Sequence, residues 1–323
     1  MVSFIKREIH NLAIGMGFTT SRAGQTDIIL AELTSNLIKF AERGEILYRA
    51  TSFEGLPAIE MYCIDEGIGI ENVNKIMNDG FSTSNTLGHG LGAIARLSNV
   101  FEIYSVKNKG TVQYIIIGSK YDSKESGKRK PFDYAAVQLN CPKELVCGDG
   151  YFVKSLPGGF QVFVGDGLGH GVHARDAVQE AIRAFRVTRE HDPVEIIRDI
   201  HASVKKTRGL VATIATADYK TGLWNICGVG NISTRIFLGL DSKNYSPYNG
   251  IIGHNIPRTL NNTVVPYLKN QMLVMHSDGL KTRWKLSDYP SLLKHPAGLI
   301  AATLYSGNVR GNDDATIFVG KVN

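Results

Sequence analysis

The chain has 323 residues, 43% hydrophobic and 20% charged. That balance excludes a disordered, collagen-like or disulfide-stapled protein, and the length predicts about two domains. The net charge of +6 is diffuse, so it supports a mild preference for acidic partners but no nucleic-acid partner, which needs a clustered basic face.

In chain order, the first half alternates helix and strand. The apolar spacing of Leu30, Leu33, Leu37 and Phe40 predicts a helix over 26–42. Strands are expected at Glu45–Thr51 and Ala58–Asp65, helices at Glu71–Asn78 and Leu91–Leu97, and a closing hairpin at Val100–Val106 and Gly110–Gly118. A charged, aperiodic stretch from Lys120 to Pro131 reads as a linker. Beyond it, strands at Tyr151–Ser155 and Phe160–Gly165 flank the turn Pro157-Gly158-Gly159. Helices follow at His173–Val187 and Pro193–Lys206. The remaining strands are expected at Val211–Asp218, Leu223–Val229, Thr234–Leu238, Met272–Ser277 and Thr316–Val319, largely antiparallel.

The cysteines Cys63, Cys141, Cys147 and Cys227 form no CxxC pair. Free thiols in a reducing compartment are the expectation, not a zinc or redox site. The first residues, Met1 to Arg7, lead into no long apolar run, and nothing approaches the roughly 18 apolar residues of a membrane helix. A cytoplasmic protein with no membrane partner is expected.

Two groups of residues carry chemistry. In the first half, Glu32 and Asn36 share one helix face, with Lys39 near them. Asp65 ends an apolar strand and is followed by Gly67 and Gly69, so the backbone can turn close to a flat ligand while the carboxylate accepts from an exocyclic amine. Gly88, Gly90 and Gly92 open the helix Leu91–Leu97, where exposed N–H groups and the helix dipole suit phosphate. In the second half, acidic residues sit beside small ones in four segments: Asp149 in Cys-Gly-Asp-Gly, Asp166 in Asp-Gly-Leu-Gly-His-Gly, Asp278 in Ser-Asp-Gly-Leu and Asp313 in Asp-Asp-Ala-Thr. Each alone is an ordinary turn. Carboxylates at the ends of neighbouring strands, however, supply hard oxygen ligands for Mg²⁺ or Mn²⁺.

The order Glu-x-x-x-Asn, Asp-x-Gly-x-Gly, Gly-x-Gly-Leu-Gly resembles the GHKL ATPase/kinase superfamily over about residues 8–118. Within it, the bacterial anti-sigma and stressosome switch kinases (RsbT type) are the most similar in motif. This resemblance implies a Bergerat α/β sandwich binding ATP with Mg²⁺. Asn36 would ligate Mg²⁺, Glu32 would orient or deprotonate the attacking hydroxyl, and Asp65 would hold adenine. Gly88, Gly90 and Gly92 would lie in the phosphate lid, with Gly67, Gly69, Thr111 and Lys39 also at the nucleotide. A sensor histidine kinase is disfavoured, because the stretch before the Glu32 helix has no room for a long helical hairpin and His10 is its only histidine.

The order Gly-Asp, Asp-Gly-x-Gly-His-Gly, Ser-Asp-Gly, Asp-Asp-x-Thr resembles the PPM superfamily of metal-dependent serine/threonine phosphatases over about residues 134–321. Its compact form resembles the bacterial SpoIIE-like branch, which includes small stressosome feedback phosphatases (RsbX type). This implies an αββα sandwich holding two Mn²⁺ or Mg²⁺ ions through Asp149, Asp166, Asp278, Asp313 and the Gly167 carbonyl. The Asp-x-x-Thr register favours Asp313 over Asp314. His170 is either a general acid or a lid residue. No arginine matches the phosphate-binding arginine of the eukaryotic enzymes.

The fold class expected from both resemblances is α+β in two domains: a GHKL kinase domain over 1–119, a linker over 120–133 and a PPM-type phosphatase domain over 134–323. The function they imply is a bifunctional protein serine/threonine kinase and phosphatase. Its partners would be STAS-domain antagonists or stressosome scaffold proteins in a bacterial partner-switching circuit. The alternative is a phosphatase whose GHKL half is a nucleotide-gated binding module without kinase activity.

Overall fold

The structure, a computed structural model, describes residues 2–73, 90–121 and 131–323. It divides into two compact units, Met1–Lys128 and Arg129–Asn323. Most of the expected helix at Glu71–Asn78 lies outside the described residues, as do Gly88, His89 and most of the expected linker.

In the N-terminal unit, helices α1 (Val2–Gly15), α2 (Thr20–Phe40) and α3 (Gly90–Leu97) cover one face of a four-stranded antiparallel sheet. Its strands are β1 (Ala41–Phe53), β2 (Leu56–Gly67), β3 (Val100–Val106) and β4 (Gly110–Gly118), in the order β1-β2-β4-β3. Helix α2 starts earlier than its apolar pattern predicts, because the Thr19 side chain caps it by accepting the Arg22 N–H. It ends at Phe40, where the chain passes directly into β1, so residues 41 and 42 are strand rather than helix. The β1–β2 turn places Glu54 (φ 53°) and Gly55 (φ 79°) both in the left-handed region, the geometry that matches the twist of a two-residue hairpin. Ile59, Met61 and Cys63 of β2 and Ile115 and Ile117 of β4 bury against Ile9, Ile29, Leu30, Leu33 and Ile94 of the helices. Each such side chain contributes about 1.5–3 kcal/mol by leaving water.

The C-terminal unit is a four-layer sandwich. One five-stranded sheet has the order β12-β9-β8-β7-β6, the other β11-β10-β13-β14-β5. The first comprises β6 (Asp149–Leu156), β7 (Gly159–Gly167), β8 (Leu210–Asp218), β9 (Leu223–Val229) and β12 (Thr263–Pro266). The second comprises β5 (Phe132–Leu139), β10 (Ser233–Leu238), β11 (Asp241–Tyr245), β13 (Gln271–His276) and β14 (Ala315–Val322). Between the sheets lie Phe132, Phe160, Val162, Trp224, Ile236, Leu273, Met275 and Phe318, with Phe132 and Phe160 stacked 3.9 Å apart. Helices α4 (Val172–Val187) and α5 (Pro193–Ser203) bury Val178, Phe185, Ile197 and Ile200 on the outer face of the first sheet. Helix α6 (Ala297–Asn308) packs on β5 and β14. Strand β5 begins at Phe132, inside the stretch expected to be linker. Among the described residues, no helix is long and apolar enough to cross a membrane.

Candidate functional site

In the C-terminal unit the strand ends bring the acidic motifs to one place. Asp149 opens β6 and is the cross-strand partner of Asp166 near the end of β7. On the other sheet, Ser277 and Asp278 follow β13 directly, and Asp313 and Asp314 precede the adjacent β14. The two sheets are tied at this point by Ser277. Its hydroxyl donates to Asp149 Oδ2 at 2.6 Å and accepts the Thr316 N–H at 3.0 Å. Asn231 Nδ2 donates to Asp278 Oδ2 at 2.9 Å.

The glycines of the motifs are required by close packing. A Cβ on Gly167 would lie 2.2 Å from the Ala174 carbonyl oxygen in the first turn of α4. One on Gly279 would lie 2.0 Å from the Asp314 carbonyl oxygen. Gly169 and Gly171 have φ of 82° and 76°, which let the chain swing from β7 into α4. Between them, His170 Nδ1 meets Glu144 Oε1 at 2.6 Å on the surface.

The two adjacent aspartates at the start of β14 have different surroundings. Asp314 is buried and accepts the Cys141 N–H (2.7 Å) on Oδ1 and the Gly148 N–H (2.9 Å) on Oδ2. Its carboxylate therefore fastens the β5–β6 connection. Asp313 is exposed, accepts the neighbouring Asp314 N–H at 2.9 Å, and lies within electrostatic reach of Asp166.

Burial, then the charges of Asp149, Asp278 and Asp313, pushes the Asp166 carboxyl well above the usual carboxylate range. Asp149 is also raised, by burial first, against the opposing Ser277 hydrogen bond. Asp149 Oδ1 is buried with no hydrogen-bond partner among the described residues. A buried, unpaired carboxylate oxygen within a group of four mutually repelling acids is a donor set that fits a divalent cation. Among the described residues no three acidic, histidine or cysteine side chains close around a single point.

In the N-terminal unit Asp65, Gly67, Gly69 and Thr111 lie together at the end of β2. Asp65 Oδ1 accepts the Thr111 N–H at 3.2 Å, and its carboxyl is raised by burial despite that bond. The loop after it is fastened to the β3–β4 hairpin: Ile70 N–H donates to Ser105 Oγ (2.7 Å) and Asn108 N–H to the Ile68 carbonyl (2.8 Å). Gly69 has φ 65°, and a Cβ there would lie 2.3 Å from the Val106 carbonyl oxygen. On Gly67 it would lie 2.4 Å from the Phe40 carbonyl oxygen. Glu32 and Asn36 are half-buried on α2, and Lys39 is exposed. Gly90 and Gly92 open α3, and a Cβ on Gly90 would come 2.6 Å from Glu32 Oε2. Gly90 thus brings the start of α3 against the Glu32 carboxylate, while Gly67 and Gly69 let the chain after β2 pass close to the Phe40 and Val106 carbonyls.

The family model for stage II sporulation protein E (SpoIIE) matches residues 157–323. The chain belongs to the SpoIIE family. This SpoIIE-family chain is 25% identical over 191 residues to the phosphoserine phosphatase RsbX of Bacillus subtilis (strain 168), covering 57% of the chain and 92% of RsbX. It is 35% identical over 101 residues to the serine/threonine-protein kinase RsbT of the same organism, covering 31% of the chain and 76% of RsbT. A solved structure from work on the bacterial stressosome, as a modular system adapted to control secondary messenger signalling, superposes with a TM-score of 0.55. It is 28% identical and covers 59% of this chain and all of that one. RsbX in complex with magnesium superposes with a TM-score of 0.52 at 23% identity, over 61% of this chain and 98% of RsbX, which shows the PPM-like fold.

Two supporting residues of this candidate site, Ser277 and Asn231, carry no signal in the sequence, and Asp314, weighed there only as an alternative ligand to Asp313, takes a supporting place. Ser277 sits inside the Ser-Asp-Gly motif yet acts on Asp149, far away in the chain. Asn231 reaches Asp278 through the pairing of β10 with β13, and Asp314 reaches Cys141 and Gly148 through the pairing of β14 with β5.

Proposed function

We propose that the C-terminal unit is a divalent-metal-dependent phosphoserine/phosphothreonine protein phosphatase and the N-terminal unit an ATP-dependent serine/threonine kinase of the GHKL type. The two would act on STAS-type antagonists in a bacterial partner-switching circuit. The observation that carries the first half is the convergence of Asp149, Asp166, Asp278 and Asp313 from both sheets. These four and the Gly167 carbonyl would hold two Mg²⁺ or Mn²⁺ ions. When bound, such a pair polarises phosphoryl oxygens and lowers the pKa of a water toward neutrality. The chain's own groups fix the ligands: Ser277 orients Asp149, Asn231 orients Asp278, and Asp314 anchors the backbone from which Asp149 projects.

In the N-terminal unit, Asp65 would accept the adenine amine while Thr111 holds the carboxylate in place. Gly67 and Gly69 would let the base approach, and Asn36 would bind Mg²⁺. Glu32 would take or orient the proton of the attacking hydroxyl, with Lys39, Gly88, Gly90 and Gly92 at the phosphates. The Thr111 bond to Asp65, the close approach of Gly90 to Glu32 and the likeness to RsbT support this reading.

The test uses intact protein, a STAS-domain partner, radiolabelled ATP and Mg²⁺ or Mn²⁺. Wild type should transfer label and remove it. Asp278→Asn should accumulate labelled partner, and Glu32→Ala should give none. Nucleotide binding without transfer by wild type would replace the kinase with a nucleotide-gated module. Full phosphatase activity in chelator would overturn the metal-dependent reading.

A further inference from the structure

A basic surface adjoins the loop that follows Asp166. Gly167, the last residue of β7, pairs with Leu210 at the start of β8, and the Leu168 N–H donates to the Gly209 carbonyl at 3.1 Å. These contacts carry Arg208 to the side of the loop. A Cβ on Gly169 would lie 3.2 Å from Arg208 Nη1, so the guanidinium rests against the chain just past Asp166 and Gly167.

The segment that carries Arg208 is fixed by its own backbone bonds. Leu210 and Ile252 form a bridge in which each N–H donates to the other's carbonyl, at 3.0 and 2.8 Å. His254 Nε2 donates to the Arg208 carbonyl at 2.8 Å, and the Gly253 N–H donates to His201 Nδ1 at 3.0 Å. Burial first, then Lys205 and His254, lowers His201 from its ordinary value, so Lys205 belongs to the same cluster. Lys205, Lys206 and Arg208 are exposed, and among the described residues none of the three is in an ion pair. The stretches 168–175, 204–209 and 251–258 contain no Asp or Glu.

Unpaired positive charge on a fixed surface favours an acidic partner. Its position says which part of that partner it meets. Three residues of chain reach at most about 10 Å, so Gly169 and the guanidinium against it lie two or three extended residues from Asp166. The phosphate of a substrate belongs at the acids, and the chain on either side of it passes over the 168–171 loop. We infer that Arg208, Lys205 and Lys206 dock acidic residues flanking the phosphorylated residue of a protein substrate. This rests on the phosphatase reading above. It narrows the substrate class to a phosphoserine or phosphothreonine with Asp or Glu two or three positions away.

The experiment gives intact protein in Mn²⁺ two phosphoserine peptides of equal length. One has Asp at the second and third positions on both sides of the phosphoserine, the other Asn. The readout is the ratio of their kcat/KM values, which a general loss of activity does not move. Wild type should favour the acidic peptide about tenfold at low salt, the lower end of electrostatic steering. The preference should vanish in about 1 M NaCl, where the screening length is about 3 Å. Lys205→Glu, Lys206→Glu and Arg208→Glu together should abolish or reverse it. A control with Lys220→Glu, Lys243→Glu and Lys269→Glu has the same net charge and should keep it, because those exposed lysines lie on a turn, the edge strand β11 and the β12–β13 connection. Equal kcat/KM for both peptides in wild type would overturn the inference, as would an unchanged ratio in the first variant or an equal loss in the control. If the first variant does not fold, Arg208→Gln decides alone: a lower ratio supports the inference and an unchanged one overturns it. If wild type hydrolyses neither peptide, the phosphatase reading fails. Fluorescence anisotropy with the unphosphorylated acidic peptide then decides the surface separately: weaker binding by Arg208→Gln supports it, and equal binding or none overturns it.

Discussion

Replacing Ser277 by alanine tests how the two sheets are joined at the site. The substitution removes the donor to Asp149 Oδ2 and the acceptor of the Thr316 N–H, both fully buried. An unpaired buried group costs about 1–3 kcal/mol, and the carboxylate belongs at the upper end. The carboxylate has one escape. Burial already raises Asp149, and loss of the Ser277 bond removes an opposing effect, so the acid takes up a proton more readily. That limits the expected loss to about 2–4 kcal/mol. For a domain of this size, at about 2–4 °C per kcal/mol, the melting temperature should fall by roughly 4–16 °C. Tryptophan fluorescence in chelator is the assay, because both tryptophans, Trp224 and Trp284, lie in the C-terminal unit. The loss should be smaller at about pH 5 than near pH 8, since a protonated Asp149 needs the donor less. A melting temperature within about 2 °C of wild type near neutral pH would refute the reasoning.

Three further outcomes are expected. The raised Asp166 means that the native state holds a proton which the unfolded chain releases above about pH 4. Metal-free stability should therefore fall as pH rises from there past neutrality, and Asp166→Asn should melt higher than wild type in chelator near pH 8; a lower melting point would contradict this. Asp314→Asn should lower the melting temperature, because one of two backbone N–H groups loses its acceptor, at about 1–3 kcal/mol. Asp313→Asn should instead keep stability and lose metal-dependent hydrolysis; the opposite pattern would exchange the two roles. Gly110→Ala puts a Cβ 1.8 Å from the Asp65 carbonyl oxygen at φ 89°, so calorimetric ATP affinity should collapse while p-nitrophenyl phosphate hydrolysis persists.

Much of the fold is legible where burial imposes a period. The hairpin Val100–Val106 and Gly110–Gly118 and the strands around Phe160–Gly165 and Leu223–Val229 follow directly from apolar runs and turn residues. Helix α1 also carries a readable stripe, in Ile5, Ile9, Leu12 and Ala13, although the motifs draw attention away from it. Strand β5 is harder to read, because its Asp133 and Gln138 break the apolar run; those side chains serve the Ala297 N–H and the Asp149 carbonyl. Helix α6 is buried along nearly its whole length, so Ala297–Asn308 has no polar face to give it a helical period. At the site, residues matched by motif are local in sequence. Their supports Ser277, Asn231 and Asp314 act through pairings between distant strands, which spacing alone does not encode.

The pairing of β5 with β14 has a consequence for how the site comes into being. The first strand of the C-terminal unit finds its ladder partner only in the last one, Ala315–Val322, and the same closing segment brings Asp313 and Asp314 to Asp166 and Gly148. Such long-range closure is slow, because the chain entropy is lost before the contacts form. During synthesis the other acids can be in place while the cluster stays open, until residues 313–322 have left the ribosome. Without that one strand the edge of β13 is exposed and nothing holds Asp314 where its carboxylate anchors the loop before Asp149. Activity of the unit therefore doubles as a report that Ala315–Val322 has taken its place in the sheet.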